Sequence, residues 1–174
     1  MISLLTGDAY FLGIARAVGA GAKCTRRHVG AIIVDENKHI VATGKNGSPP
    51  GHPECIDGAC PRGLHYEVPA QVTLTDGDKP IWGIAPTWST MCAHGGPWPC
   101  PDSVAPSSSY DTGKGTCIAV HAEANALLNR TTVSVKGATM YVTDKPCDGC
   151  LRLIHGAQIS RVVTPYGFIT CDLT

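Results

Sequence analysis

The sequence predicts an α/β sandwich built as a single domain. Three observations carry this reading. A helical apolar pattern opens the chain, two β-rich apolar runs joined by a turn follow it, and a helix, strand, helix, strand series closes it. Elements alternating in this way lay helices against a sheet.

Residues 4–20 read as a helix with Leu4, Leu5, Phe11, Leu12, Ala15 and Val18 on a broad apolar side, ended by Gly19 and Gly21. Residues 29–35 (V-G-A-I-I-V-D) form a continuous apolar run suited to a buried strand. Residues 38–43 make a second strand, and the D-E-N between the two is a hairpin turn. The G-K-N-G-S-P-P-G stretch over 44–51 is a loop whose glycines and prolines suit neither helix nor strand. A long Gly/Pro/Cys-rich region follows, over 52–115. It contains Cys55, Cys60, Cys92, Cys100 and all three tryptophans. A disordered tract would be poor in both residue types, so part of this region is expected to be ordered. Residues 119–130 are strong helix formers, 138–143 a strand, 147–155 a second short helix stopped by Gly156, and 160–164 a further strand. There is no internal repeat. The expectation is one domain over 1–174, with a Cys/Pro/Gly-rich insertion at about 61–115.

Composition narrows the function classes. The 174 residues are 43% hydrophobic, which supplies a core without help from disulfides or metals. Fourteen basic and fourteen acidic residues cancel, and the longest basic cluster is K-C-T-R-R-H over 23–28. That balance weighs against a duplex nucleic-acid footprint and leaves room for a local pocket that takes one phosphate. No run approaches the ~18 apolar residues of a membrane span. The apolar N-terminus lacks a basic leader and is broken by Asp8 and Arg16, so the protein is expected to be cytoplasmic. Nine cysteines is an odd number, and without a secretory signal such a count points to metal before disulfides.

Two fragments carry chemistry: His121-Ala122-Glu123, and Pro146-Cys147-Asp148-Gly149-Cys150. Zinc favours imidazole and thiolate ligands, and a catalytic site keeps the fourth position for water. Cysteines three apart at a helix start face one point, and the helix N-terminus favours thiolate. Pro146 suits the helix entry because it lacks an N–H. His121 from the other helix completes three protein ligands. Glu123, two residues on, is placed to move protons. Each piece alone has a plainer reading: a solvated helix face, a structural zinc half-site or a redox pair. Together they favour catalysis.

H-x-E with P-C-x-x-C is the signature of zinc nucleobase deaminases, and the chain resembles the cytidine/deoxycytidylate deaminase superfamily. Within it the sequence is similar to the deoxycytidylate deaminases. The carrying segments are C-T-R-R-H-V-G-A-I-I-V (24–34), T-G-K-N-G-S-P-P-G (43–51), H-A-E-A-N-A-L-L (121–128) and A-T-M-Y-V-T-D-K-P-C-D-G-C (138–150). The resemblance implies a three-layer α/β/α cytidine-deaminase-like fold with a central five-stranded mixed sheet. It implies hydrolytic deamination of dCMP to dUMP, with His121, Cys147 and Cys150 on the catalytic zinc and Glu123 as proton carrier. Asn46 would hydrogen-bond the sugar, Ala122 and Thr143 would line the base pocket, and Tyr166 would stack on the base or sit in the core. Phosphate would fall to Lys45, Ser48 or nearby backbone, with Arg26 and Arg27 as further candidates.

A second, structural zinc would take Cys24, Cys55, Cys60 and Cys117, with His52 as a substitute; the alternative is buried thiols. Cys92, His94 and Cys100 could form a further site or replace two of those ligands. Family likeness also implies a homo-oligomer, a hexamer, with dCTP and dTTP as effectors. Two departures stand out: Lys45 where the family has tyrosine, and the long stretch between Cys60 and Cys117. Deamination of a nucleoside, a modified cytosine nucleotide or a specialised metabolite stays open beside dCMP, as does a non-catalytic zinc-binding protein.

Overall fold

The computed structural model describes residues 7–64, 117–130 and 134–171, together with the backbone of four short strands between 67 and 92 and the Cys92 side chain. The chain divides into two compact units. One comprises Met1–Ala59 with Ile118–Thr174, the other Cys60–Cys117.

The first unit is built on a five-stranded sheet. Helix α1 (Asp8–Ala20) precedes strands β1 (Gly30–Val34) and β2 (Ile40–Lys45). Asp35 closes the turn between them by a backbone bond from its N–H to the His39 carbonyl, and Lys38 takes the left-handed conformation (φ 69°). The register pairs Ala31 with Gly44 and Ile33 with Ala42, then shifts at Val34, which pairs with Ile40.

The second unit is described here by itself. A 3₁₀ turn, Pro61–Leu64, is closed by Gly63 N–H on the Cys60 carbonyl and buries Arg62. Strand β3 (Glu67–Pro69) pairs antiparallel with β6 (Thr90–Cys92), and β4 (Leu74–Asp76) pairs with β5 (Lys79–Ile81). Buried Cys92 points its thiol at the Leu64 carbonyl, 3.7 Å away. Strands of three residues are too short to show a period, which is why the sequence gives no sign of them. His94 and Cys100 lie outside the described residues.

The chain re-enters the first unit as helix α2 (Ala122–Leu128), strand β7 (Thr139–Val142), helix α3 (Asp148–Gly156), and strands β8 (Arg161–Thr164) and β9 (Gly167–Thr170). The strand order is β2-β1-β7-β8-β9. Among the described strands of this sheet, the β7–β8 pair alone is parallel; α3 makes that crossover. The sheet is therefore mixed.

Strand β1 sits inside the sheet and is buried along its whole length. Its side chains alternate between two cores. Ala31 and Ile33 pack with Met140, Val142, Val162 and the helix residues Ala122, Ala126 and Ile154. Ile32 and Val34 pack with Tyr141, Val163 and the α1 residues Phe11, Leu12 and Ala15. The result is three layers: α1, the sheet, then α2 with α3.

Several boundaries differ from the sequence reading. Gly19 lies inside α1 and does not end it; the helix stops at Gly21. A Cβ on Gly19 would stand 2.8 Å from Gly30 N, so this glycine lets α1 rest directly on β1. Gly44 and Lys45 belong to β2, not to the following loop. Helix α2 begins three residues later than expected because Val120 pairs as a bridge with Gly47. β9 follows the Pro165-Tyr166 turn, where the sequence pattern gives no strand.

Candidate active site

Two helix starts converge. His121 is the N-cap of α2 (φ −67°, ψ 154°) and Cys147 the N-cap of α3 (φ −77°, ψ 166°), both in extended backbone. Cys147 Sγ accepts the N–H of Cys150 at 3.4 Å, so the C-x-x-C spacing is a helix cap in which N-cap and third residue meet. Pro146 thus precedes the cap instead of occupying the first helical turn. His121 caps its helix instead of projecting from within it.

The three ligand atoms lie close together. His121 Nδ1 is 3.5 Å from Cys147 Sγ and 3.3 Å from Cys150 Sγ, and all three fall within 4.8 Å of one another. Zinc bonds of ~2.3 Å to sulfur and ~2.05 Å to nitrogen, held tetrahedrally, give an N···S edge of about 3.6 Å. The donor set and its spacing therefore fit one zinc ion with an open fourth position. Among the described residues, no second group of three or more such ligands converges.

Glu123 stands on the first turn of α2 and is only 4% exposed. Burial pushes its carboxyl above the usual carboxylate range, against the opposing pull of His121 and a hydrogen bond with the Cys150 thiol. Burial also drives the Cys150 thiol far up, with the neighbouring Glu123 and Cys147 adding to it. A bound dication reverses that preference, because a coordinating thiol is deprotonated.

Backbone contacts seat these groups. α2 packs on β2 at Gly44, where a Cβ would collide with Ala122 O and Ala126 N. Gly47 and Val120 exchange backbone bonds of 3.2 and 2.8 Å, one residue before His121. Thr143 donates its N–H to Gly30 O and accepts from Gly30 N on its Oγ1, both at 3.0 Å.

A scan against family models matches residues 5–165 to the cytidine and deoxycytidylate deaminase zinc-binding region. The chain belongs to this family. It is 37% identical over 158 residues to the deoxycytidylate deaminase of Mycobacterium phage D29, covering 91% of this chain and 93% of that one. It is 33% identical over 157 residues to the deoxycytidylate deaminase of Enterobacteria phage T4, covering 87% and 74%. Among solved structures, the fold resembles dCMP deaminase from the cyanophage S-TIM5 in apo form, with a TM-score of 0.51 at 20% identity over 90% of this chain and 80% of that one.

Within this family member, the expected substrate residues fall in different places. Ala122 is fully buried and packs into the core with Ala31, Ile33 and Ala126. Asn46 is 1% exposed and spends both ends of its carboxamide on backbone: Oδ1 accepts from Val29 N at 2.8 Å, and Nδ2 donates to Arg27 O at 2.9 Å. Lys45 and Ser48 line a cleft of about 160 Å³ with Lys23, Asn46, Glu54, Asn125 and Asn129, a lining that omits the zinc ligands and Glu123. Lys45 Nζ donates there to Gly21 O, and Ser48 Oγ is buried without a partner. Tyr166 is 79% exposed at the β8–β9 turn, which rules out the core-tyrosine reading. Because β7 and β8 run parallel, that turn shares an end of the sheet with Thr143.

Cys24 (3% exposed) and Cys55 (1%) are buried in the first unit, and the Ile56 N–H bonds the Lys23 carbonyl beside them. Cys60 and Cys117 belong to the second unit. Gly44, the Val120–Gly47 bridge and the Arg27–Asp144 ion pair were missed by sequence reasoning. Only Gly44 carried a signal, since a glycine ending a strand pattern marks close backbone approach.

Proposed function

We propose that this chain catalyses the zinc-dependent hydrolytic deamination of dCMP to dUMP and ammonia. One observation carries the reading: His121, Cys147 and Cys150 converge at zinc-binding spacing with the buried Glu123 beside them. The identity to phage deoxycytidylate deaminases supports dCMP as the substrate, as does an S-TIM5 dCMP deaminase structure in complex with dCMP and dUMP.

When bound, zinc supplies the Lewis acidity that makes water a nucleophile at neutral pH. Glu123 takes a proton from the attacking water, passes it to the ring nitrogen, and helps the amine leave as ammonia. Its raised pKa suits a group that must both accept and give up a proton. Asn46 meets the sugar through the valences its backbone bonds leave over. Ala122 and Thr143 border the base, and Tyr166 closes over it.

The finer expectations follow from the same reading. A second, structural zinc on Cys24, Cys55, Cys60 and Cys117 is proposed from the family likeness alone; zinc analysis that gives one ion per chain overturns it. A homohexamer is proposed from the family likeness, and sedimentation tests it. Regulation by dCTP and dTTP is proposed from the family likeness and is tested by adding them to the assay. We read Cys60–Cys117 as an insertion in one deaminase domain. A cytoplasmic location is proposed from the odd count of nine cysteines. Among the described residues no helix is long and apolar enough to cross a membrane.

The substrate panel is dCMP, CMP, dCTP, deoxycytidine and cytosine, followed by loss of cytosine absorbance and release of ammonia. dCMP should be turned over best. Turnover of another compound without dCMP overturns the reading.

A further inference from the structure

One side chain on α2 ties together the segments that carry the site. The Asn125 carboxamide donates from Nδ2 to Lys45 O at 2.7 Å and, more weakly, to Val120 O at 3.5 Å. Its backbone N–H donates to His121 O at 2.9 Å. Lys45 directly precedes Asn46, and Val120 directly precedes His121. Gly47 and Val120 already exchange backbone bonds, so Asn125 closes a ring around that bridge from the helix whose first turn carries Glu123.

The topology explains why an asparagine is needed. Strand β2 is an edge of the sheet. Alternate residues of an edge strand turn their carbonyls away from the neighbouring strand, where they need another partner. α2 supplies two: Asn125 for Lys45, and Asn129, one turn later, for Thr43 at 3.4 Å. Both bonds are exposed to water, and both asparagines line the same cleft. They differ in what they reach. Asn129 meets β2 two residues further from Asn46, and of the two only Asn125 also holds Val120 and His121.

We propose that Asn125 is a positioning residue for the deamination: its carboxamide fixes where α2 starts relative to Asn46, and so sets the reach of Glu123 to the base. The inference rests on the deaminase reading above. An exposed carbonyl that loses its donor takes water instead, so removing the carboxamide costs the fold little. The place of the first turn is more sensitive. Glu123 stands two residues before Asn125, and proton transfer needs heavy atoms within about 2.6–3.2 Å. Reacting groups misplaced by about 1 Å lose about 100-fold in rate.

Asn125→Ala keeps the backbone bond to His121 and removes only the side-chain ties. On zinc-loaded protein it should lower kcat for dCMP by about 10- to 100-fold, with KM within about threefold and the catalytic zinc retained. Its unfolding equilibrium should shift by about tenfold or less. Asn129→Ala removes a like bond from the same helix and should keep kcat within about threefold. Asn125→Asp keeps the size and loses the donor. It should match Asn125→Ala, and it decides the matter if the alanine variant does not fold. Wild-type kcat in Asn125→Ala, an equal loss in Asn129→Ala, or a loss accompanied by departure of zinc would show a plain helix tie and overturn the proposal. A wild type that deaminates no compound of the substrate panel would instead refute the deaminase reading.

Discussion

Replacing Gly44 with alanine tests how the fold aims the site. A Cβ at this position would collide with Ala122 O and Ala126 N and would stand 2.9 Å from Ala126 Cα. Carbon contacts settle near ~3.5–4.0 Å, so α2 must move off β2 by roughly 1 Å. The obstacles are backbone atoms, which have no rotamer to retreat into. Overpacking of this kind costs about 1–3 kcal/mol, and the upper end applies here. α2 starts directly after His121 and carries Glu123 in its first turn. A displacement near 1 Å of groups that must meet a substrate costs about 100-fold in rate. Gly44→Ala should therefore unfold about 3 kcal/mol more easily and lose about 100-fold in kcat/KM for dCMP. Gly19→Ala is the control, because its Cβ also meets backbone, 2.8 Å from Gly30 N, but α1 holds none of the site residues. It should be destabilised by about 1–3 kcal/mol and keep kcat/KM within about threefold, measured well below both unfolding midpoints. Wild-type kcat/KM in Gly44→Ala, or an equal loss in Gly19→Ala, would refute the reasoning.

Other variants probe separate parts of the account. Cys147→Ala removes a ligand and the acceptor for the Cys150 N–H, so zinc analysis should show loss of the catalytic ion. Asn46→Asp still accepts from Val29 N but cannot donate to Arg27 O, and it buries a charge. Chemical denaturation should show a loss of about 2 kcal/mol or more. Asp8 accepts two bonds from Arg161 and one from the Tyr141 hydroxyl, and the Arg161 guanidinium holds its carboxyl below the ordinary 3.8. A depressed carboxylate stabilises the fold above its unfolded pKa and stops doing so as pH falls through the folded one. Asp8→Asn should cost about 1 kcal/mol at neutral pH, and the gap from wild type should close as the pH falls below 3.8 and through the folded pKa.

Much of the site was legible because its spacing fits within single turns. Cys147 and Cys150 are N-cap and third residue of one helix, so four letters fix their geometry. His121 and Glu123 likewise span one helix start. The parts that were hidden join segments far apart in sequence. Val120 was assigned to a helix on propensity, and its pairing with Gly47 overrides that preference. Arg27 and Asp144 meet only because β1 and β7 are neighbours in the sheet. Strand β9 buries no residue fully: Ile169 is half-buried and Phe168 is exposed, a pattern too short to separate from a loop. Lys45 read as a phosphate ligand because of its place in the motif, and the C-terminal end of α1 had to be in position before its contact with Gly21 O was visible.

The most direct measurement of the central claim is the Glu123→Ala variant, assayed for zinc content and for release of ammonia from dCMP beside the wild type. The account predicts that wild type converts dCMP to dUMP and ammonia in equal amounts. The variant should keep its catalytic zinc and lose activity by several orders of magnitude. Undiminished deamination by a zinc-loaded Glu123→Ala protein would contradict it.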